Sequence, residues 1–245
     1  MAKFGDKPGS VLVDMGYMDI APDGKYPYLL VTGPQAIDCN KQHLPGKEEI
    51  ERLEEILDAT NNFITGVTAK LLVGTFTYNC ERLNYYYVKD TTGVRNAIMR
   101  MYKRNYPNYQ FAINMKADRE WSTYRTFLYP NEENRNWMEN DKIIARLLQQ
   151  GDSLTKPRDI KFDVYFRTDS GRSAFAGFAR AKGFKADTTK ASQSPNMPYE
   201  LLLIKYEAVK MDVVNKMTAE LKSELKKYNS IYVGWEAPLI PGGKK

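Results

Sequence analysis

The chain has 245 residues, 42% hydrophobic and 27% charged, with a formal net charge of +6. At roughly 100–200 residues per domain this length predicts two small domains, each large enough to bury a core without metals or staples. No apolar run approaches the ~18 residues of a membrane span, the first residues lack the apolar core of a secretion signal, and two cysteines without a CxxC spacing argue against a disulfide framework, so a reduced, cytoplasmic protein with no membrane partner is expected.

The first ten residues are polar, contain Pro8-Gly9, and read as a frayed tail. Val11–Asp14 reads as a short strand, and Ala21-Pro-Asp-Gly24 as a turn. Tyr26–Thr32 is β-branched and aromatic, hence a strand; residues 33–46 hold two glycines and two prolines and read as a loop. Lys47–Val67 repeats apolar residues at helical spacing (Ile50, Leu53, Ile56, Leu57, Ile64), with glutamates in its N-terminal half where the helix dipole favours them. Lys70–Asn79 and Leu83–Lys89 form a strand pair, the second carrying Tyr85-Tyr86-Tyr87 on both faces. Asp90 or Thr91 is expected to cap a helix running to about Tyr106, where Pro107 stops it. Tyr109–Lys116 alternates Phe111, Ile113 and Met115 with polar residues, a half-buried strand.

Trp121, Tyr124, Phe127 and Leu128 then fall at helical spacing and Pro130 ends the turn; a polar run, 131–136, follows. Helices are expected at Asp141–Gln150, after Thr168 or Asp169 as far as Gly183, and at Val209–Tyr228. Strands are expected at Lys161–Arg167, Phe184–Lys190, Tyr199–Ala208 and Ile231–Pro238, with a polar loop at 191–198 and a loose Gly242–Lys245 tail. Both halves read β-α-β-β-α-β, the second with one leading helix. The expectation is an α+β protein of two tandem ferredoxin-like domains, 1–130 and 131–245, whose antiparallel sheets are covered by helices on one face.

Charge is divided unevenly. Residues 1–130 hold 16 Lys and Arg against 15 Asp and Glu, and residues 131–245 hold 20 against 15. The excess in the second half admits an RNA or acidic-protein partner, while the alternation of lysines with acids fits a solvated surface. Chemistry-bearing patterns are scarce. The single His43 follows Cys39 by four residues, but a dyad or metal site there lacks further ligands, and a plain loop is the better reading; Cys80 reads as a small packed residue. Phosphate-loop, dinucleotide, zinc-protease and nucleophile-elbow motifs are absent, so no catalytic, cofactor or metal residue is assigned. The strand aromatics, Tyr85–Tyr87 and Phe162, Tyr165 and Phe166, lack the glycine pattern of RNA-recognition strands and read as packing.

Several short motifs in the second half carry a resemblance. They are Asp141–Leu148, Gly151-Asp152-Ser153-Leu154, Pro157-Arg158-Asp159-Ile160, Val164-Tyr165-Phe166, Gly183-Phe184 and the closing Tyr232-Val233-Gly234-Trp235-Glu236. With these, the second half resembles the regulator of ribonuclease E activity B family. The first half, ending in Trp121-Ser-Thr-Tyr124 and Phe127-Leu128-Tyr129-Pro130, resembles domain-of-unknown-function family 695. The resemblance implies a bacterial fusion and a non-catalytic protein that acts by binding a ribonuclease or other protein. Two departures stand out: this half is net +5 where family members look acidic, and Phe162 stands where a His is common.

The expected function is therefore a non-enzymatic protein-binding or regulatory module without a cofactor. Its candidate contact residues are Trp121, Tyr124, Trp137 and Trp235, since Trp and Tyr anchor interfaces. The alternatives are an RNA-binding protein using Lys205, Lys210, Lys216, Lys222, Lys226 and Lys227, or an unrecognised enzyme.

Overall fold

Periodic apolar residues lay down the elements, and each half of the chain closes its own core around them. The computed structural model describes residues 2–4, 6–189, 192 and 194–241. The chain divides into two units, Met1–Pro130 and Asn131–Lys245, each mixing helices with one antiparallel sheet.

The first unit contains strands β1 (Ala2–Phe4), β2 (Lys7–Val13), β3 (Tyr28–Gln35), β4 (Lys70–Tyr78), β5 (Glu81–Val88) and β6 (Gln110–Ala117), with helices α1 (Lys47–Thr65) and α2 (Val94–Asn105). The sheet order is β1-β2-β4-β5-β3-β6. The alternation of Tyr85, Tyr86 and Tyr87 builds two cores, because successive side chains leave a strand on opposite faces. Tyr86 packs with Leu30, Ile56, Ile98 and Tyr102 under the helices. Tyr85 and Tyr87 pack with Leu29, Val73, Trp121, Tyr124 and Leu128 on the other face. The sheet of this unit is thus covered on both faces, where a helix layer on one face was expected.

Three sequence expectations are corrected here. The first residues are not a tail: β1 pairs with β2, and β2 extends the sheet along β4. Gly33 and Pro34 belong to β3 rather than to a loop. A Cβ on Gly33 would lie 2.1 Å from the Arg82 carbonyl oxygen, so the close backbone of β5 demands glycine inside the strand. Cys39 and Cys80, read as an unpaired loop residue and a packed thiol, are joined as a disulfide with Cα atoms 6.1 Å apart. In addition, Asp90 accepts from the Thr92 amide in a local turn, and the helix-capping position before α2 is held by Gly93 at φ 71°.

The second unit contains α3 (Glu132–Gln149), β7 (Arg158–Phe166), α4 (Asp169–Ala181), β8 (Lys185–Asp187), β9 (Tyr199–Glu207), α5 (Met211–Leu225) and β10 (Ser230–Glu236), with sheet order β10-β7-β9-β8. The polar run expected between the halves is the first turn and a half of α3. Asn131 caps it by accepting from the Asn134 amide at 2.8 Å. Strict alternation in β7 sends Ile160, Phe162, Val164 and Phe166 inward against Phe175, Leu201, Leu203 and Leu221. Each such fully buried side chain contributes about 1.5–3 kcal/mol. The expected 191–198 loop is only partly within the described residues, and the Gly242–Lys245 tail lies outside them.

Candidate partner-binding site

The most polar part of the second core lies where α3, α5 and β10 meet. The buried Asn140 amide nitrogen donates to Asn215 Oδ1 at 2.7 Å and Thr218 Oγ1 at 2.8 Å, tying α3 to α5. Its oxygen accepts from Trp235 Nε1 at 2.8 Å, which fixes the indole of β10 beneath both helices. Beside this network a groove of 580 Å³ is lined by Ile143, Leu225, Tyr228, Tyr232 and Trp235.

Two ion pairs span its rim, Lys222–Glu139 at 2.5 Å and Lys226–Glu132 at 2.6 Å. The Lys222 ammonium also lies 5.2 Å from the centre of the Tyr232 ring. The Tyr232 hydroxyl is buried and has no partner among the described residues. Burial, reinforced by the Glu139 and Asp163 carboxylates, pushes its phenol well above the usual tyrosine value, so it stays a neutral donor. Lys226 holds the Glu132 carboxyl below its ordinary value. The one aliphatic hydroxyl of the lining, Ser230, donates to the Leu225 carbonyl at 3.2 Å. This set of groups can bind apolar and hydrogen-bonding surface; it places no nucleophile against a base.

The four aromatic candidates have separate fates. Trp121 and Tyr124 are fully buried, and this corrects their reading as contact residues. Trp121, at φ 53°, stacks on Tyr87 with centroids 4.1 Å apart and donates to the Tyr26 carbonyl at 3.0 Å. The Tyr124 hydroxyl donates to the Asp14 carbonyl at 2.8 Å. Asp118 organises the turn that holds them, accepting from the Ser122 and Thr123 amides and from the Tyr87 hydroxyl at 2.8, 2.9 and 2.7 Å. Burial opposes its charge, but those hydrogen bonds win and its pKa lies below the ordinary carboxylate value. Trp235 is buried under α3 and α5 with an edge on the groove. Trp137 is 46% exposed on α3.

The lysine footprint is largely committed elsewhere. Lys205 donates to the Lys182 and Gly183 carbonyls, and Lys222, Lys226 and Lys227 are paired with Glu139, Glu132 and Glu224. His43 sits at φ 57° in a loop, with Cys39 consumed by the disulfide. Among the described residues no group of three or more His, Cys, Asp or Glu is placed to hold a metal ion, and no helix is long and apolar enough to cross a membrane.

Residue reading missed one device, the buried pair Asp152–Arg158. Arg158 bonds both carboxylate oxygens and the Pro238 carbonyl, while Asp152 also accepts from the Leu154 and Ile240 amides. The available signal was an acid and an arginine six residues apart across a turn. These two anchor the Gly151–Leu154 and Pro157–Ile160 motifs to the segment after β10.

Residues 1–129 match the model of a family of unknown function, DUF695, and residues 137–237 match the model of regulator of ribonuclease activity B. No curated protein matches the chain. Among solved structures, an unknown protein from Galdieria sulphuraria is 8% identical over 86% of this chain and 98% of its own, with a TM-score of 0.23, too low to carry an inference about fold.

Proposed function

We propose, from the premise that this chain belongs to the DUF695 family and matches regulator of ribonuclease activity B over residues 137–237, that it is a non-enzymatic, cytoplasmic regulator of ribonuclease activity that works by binding protein. The match over 137–237 is the observation that carries this reading. The motif residues in that match hold the fold together, Asp152 with Arg158 and Trp235 with Asn140, and leave surface rather than reactive groups for function.

The reading includes two tandem ferredoxin-like domains, 1–130 and 131–245. Supporting it, β4-β5-β3-β6 and β10-β7-β9-β8 both arrange a β-α-β-β-α-β chain with its strands in the order second, third, first, fourth or its reverse. Trp137 is the contact residue kept from the sequence, because it is the member of the four that stands on the surface.

The test is endoribonuclease cleavage of a labelled RNA with and without the protein, alongside capture of partners from nuclease-treated lysate. Slower cleavage and a stoichiometric captured ribonuclease are expected, both weakened by Trp137→Ala. Unchanged cleavage with recovery of RNA alone would replace this reading with RNA binding. Compartment has its own check in the Cys39–Cys80 disulfide. A reducing cytoplasm would open that bond, so thiol trapping in intact cells is expected to capture both cysteines, and protection of both would overturn the cytoplasmic assignment.

A further inference from the structure

Among the described residues of the second unit, the helices cover one face of its sheet. Helices α3, α4 and α5 all pack on the side of Phe162, Val164, Leu201 and Leu203. The strand registers send the alternate residues to the opposite side. Five carboxylates stand at those outward positions, Asp159, Asp163, Asp187, Glu200 and Glu236, against two lysines, Lys161 and Lys185. Lys161 is itself paired with Glu236 at 3.7 Å. This face is therefore negative in a half of the chain that carries 20 Lys and Arg against 15 Asp and Glu.

An apolar strip runs between the carboxylates. Ile231 on β10 is 49% exposed, and Tyr206 on β9 is 68% exposed. Half-buried Tyr165 and Ile204 fill the positions between them, with Leu202 buried among its neighbours. A solvated antiparallel face ordinarily alternates to polar residues, so this strip needs another explanation. Stacking platforms for single-stranded RNA set aromatic rings beside cations. Here the rings stand beside carboxylates, which repel phosphate.

We propose that this helix-free face is a docking surface for a cationic, amphipathic segment of a partner protein. Lysines and arginines of the segment meet the carboxylates, and its apolar side chains lie along Ile231, Tyr165, Ile204 and Tyr206. Complementary charge selects this partner over the acidic one that the net charge of the unit alone would suggest. The proposal rests on the protein-binding reading and adds a surface and a partner chemistry to it.

The test uses the full chain and a fluorescein-labelled synthetic peptide alternating Lys with Leu, with a control in which Glu replaces each Lys. The Lys peptide is expected to bind, more weakly as salt rises, and to shift amide resonances of β7, β9 and β10 but not of α3 or α5. Asp159→Lys/Glu200→Lys is expected to weaken it by about tenfold or more. Tyr206→Ser, at an exposed ring and so without cost to the fold, is expected to weaken it several-fold with unchanged melting temperature. Equal binding of the Glu peptide, unchanged binding to the double variant, shifts confined to the helices, displacement by a single-stranded RNA, or self-association through this face would each overturn the proposal. Lysate capture separates the two levels. A partner still captured by the double variant leaves the protein-binding reading standing and removes this face. Peptide binding that follows the expected pattern while wild-type protein captures nothing supports the face and removes the ribonuclease reading.

Discussion

Asp152 and Arg158 are opposite charges taken out of water together, and such a pair holds only if every lone pair and proton finds a partner. Here the carboxylate is fully bonded and the guanidinium nearly so: Arg158 Nη2 donates to Asp152 Oδ1 at 2.9 Å, Nη1 to Asp152 Oδ2 and to the Pro238 carbonyl at 2.9 Å, and Nε to the Lys156 carbonyl at 3.1 Å, while the Leu154 and Ile240 amides donate to the carboxylate at 2.7 and 2.8 Å. Asp152→Asn keeps the shape but strands a buried guanidinium. The expected loss is about 3–5 kcal/mol, read from the urea midpoint. The pair also sets an acid limit. Hydrogen bonds from Arg158 outweigh burial and bring the Asp152 pKa from 3.8 to about 2. A depressed folded value means that the stabilisation is complete above the unfolded pKa and disappears as pH falls through the folded one. About 2 kcal/mol is therefore expected to drain away between about pH 4 and pH 2. Acid unfolding followed by circular dichroism checks this, and Asp152→Asn should lack that component.

At the scale of elements, glycine and hydroxyl positions make opposite predictions. A Cβ at position 33 would meet the Arg82 carbonyl oxygen at 2.1 Å and the Leu83 Cα at 2.9 Å, both backbone atoms that cannot swing away. Gly33→Ala must push β3 from β5 and is expected to cost about 3 kcal/mol, measured by chemical denaturation. Tyr232→Phe instead removes a buried hydroxyl that has no partner among the described residues, so it is expected to be neutral or slightly stabilising; a clear loss would mean that the hydroxyl is hydrogen-bonded in solution. The same elements show what the sequence made legible. Helices α1, α4 and α5 and strands β4, β5, β7 and β9 follow from apolar period alone. The first turns of α3 do not, because Asn136 and Asn140 look like loop residues until Thr218 and Trp235 arrive from elsewhere in the chain. Strand β1 and the first half of β2 are likewise invisible locally, since their pairing is supplied from β2 and β4; Val11–Asp14 alone reads as strand. Trp121 and Tyr124 read as contact candidates because residue type alone does not show the second covered face of the first sheet; the turn built on Asp118 buries them there.

For the whole molecule, the decisive fact is that each buried cluster draws on one unit: two on the first, one on the second. Composition anticipated two cores' worth of chain, and the placement of charge between the halves was countable from the sequence. How charge divides between the two faces of the second sheet was not, since that depends on the register of β7 with β9 and β10. Separate cores predict separate cooperativity. Calorimetry of the full chain is expected to show two transitions, and the residue-level variants assign them. Gly33→Ala should lower one and Asp152→Asn the other, because their contacts lie in different cores. Fluorescence supplies an independent assignment, with Trp121 buried in the first unit, and Trp235 buried and Trp137 exposed in the second. Units of this size fall between the roughly 4–8 °C per kcal/mol of smaller domains and the roughly 2–4 °C of larger ones, so either variant should separate the transitions. If both variants instead moved a single transition together, the two units would fold as one cooperative body, and the assignment of separate cooperativity to separate cores would have to be abandoned.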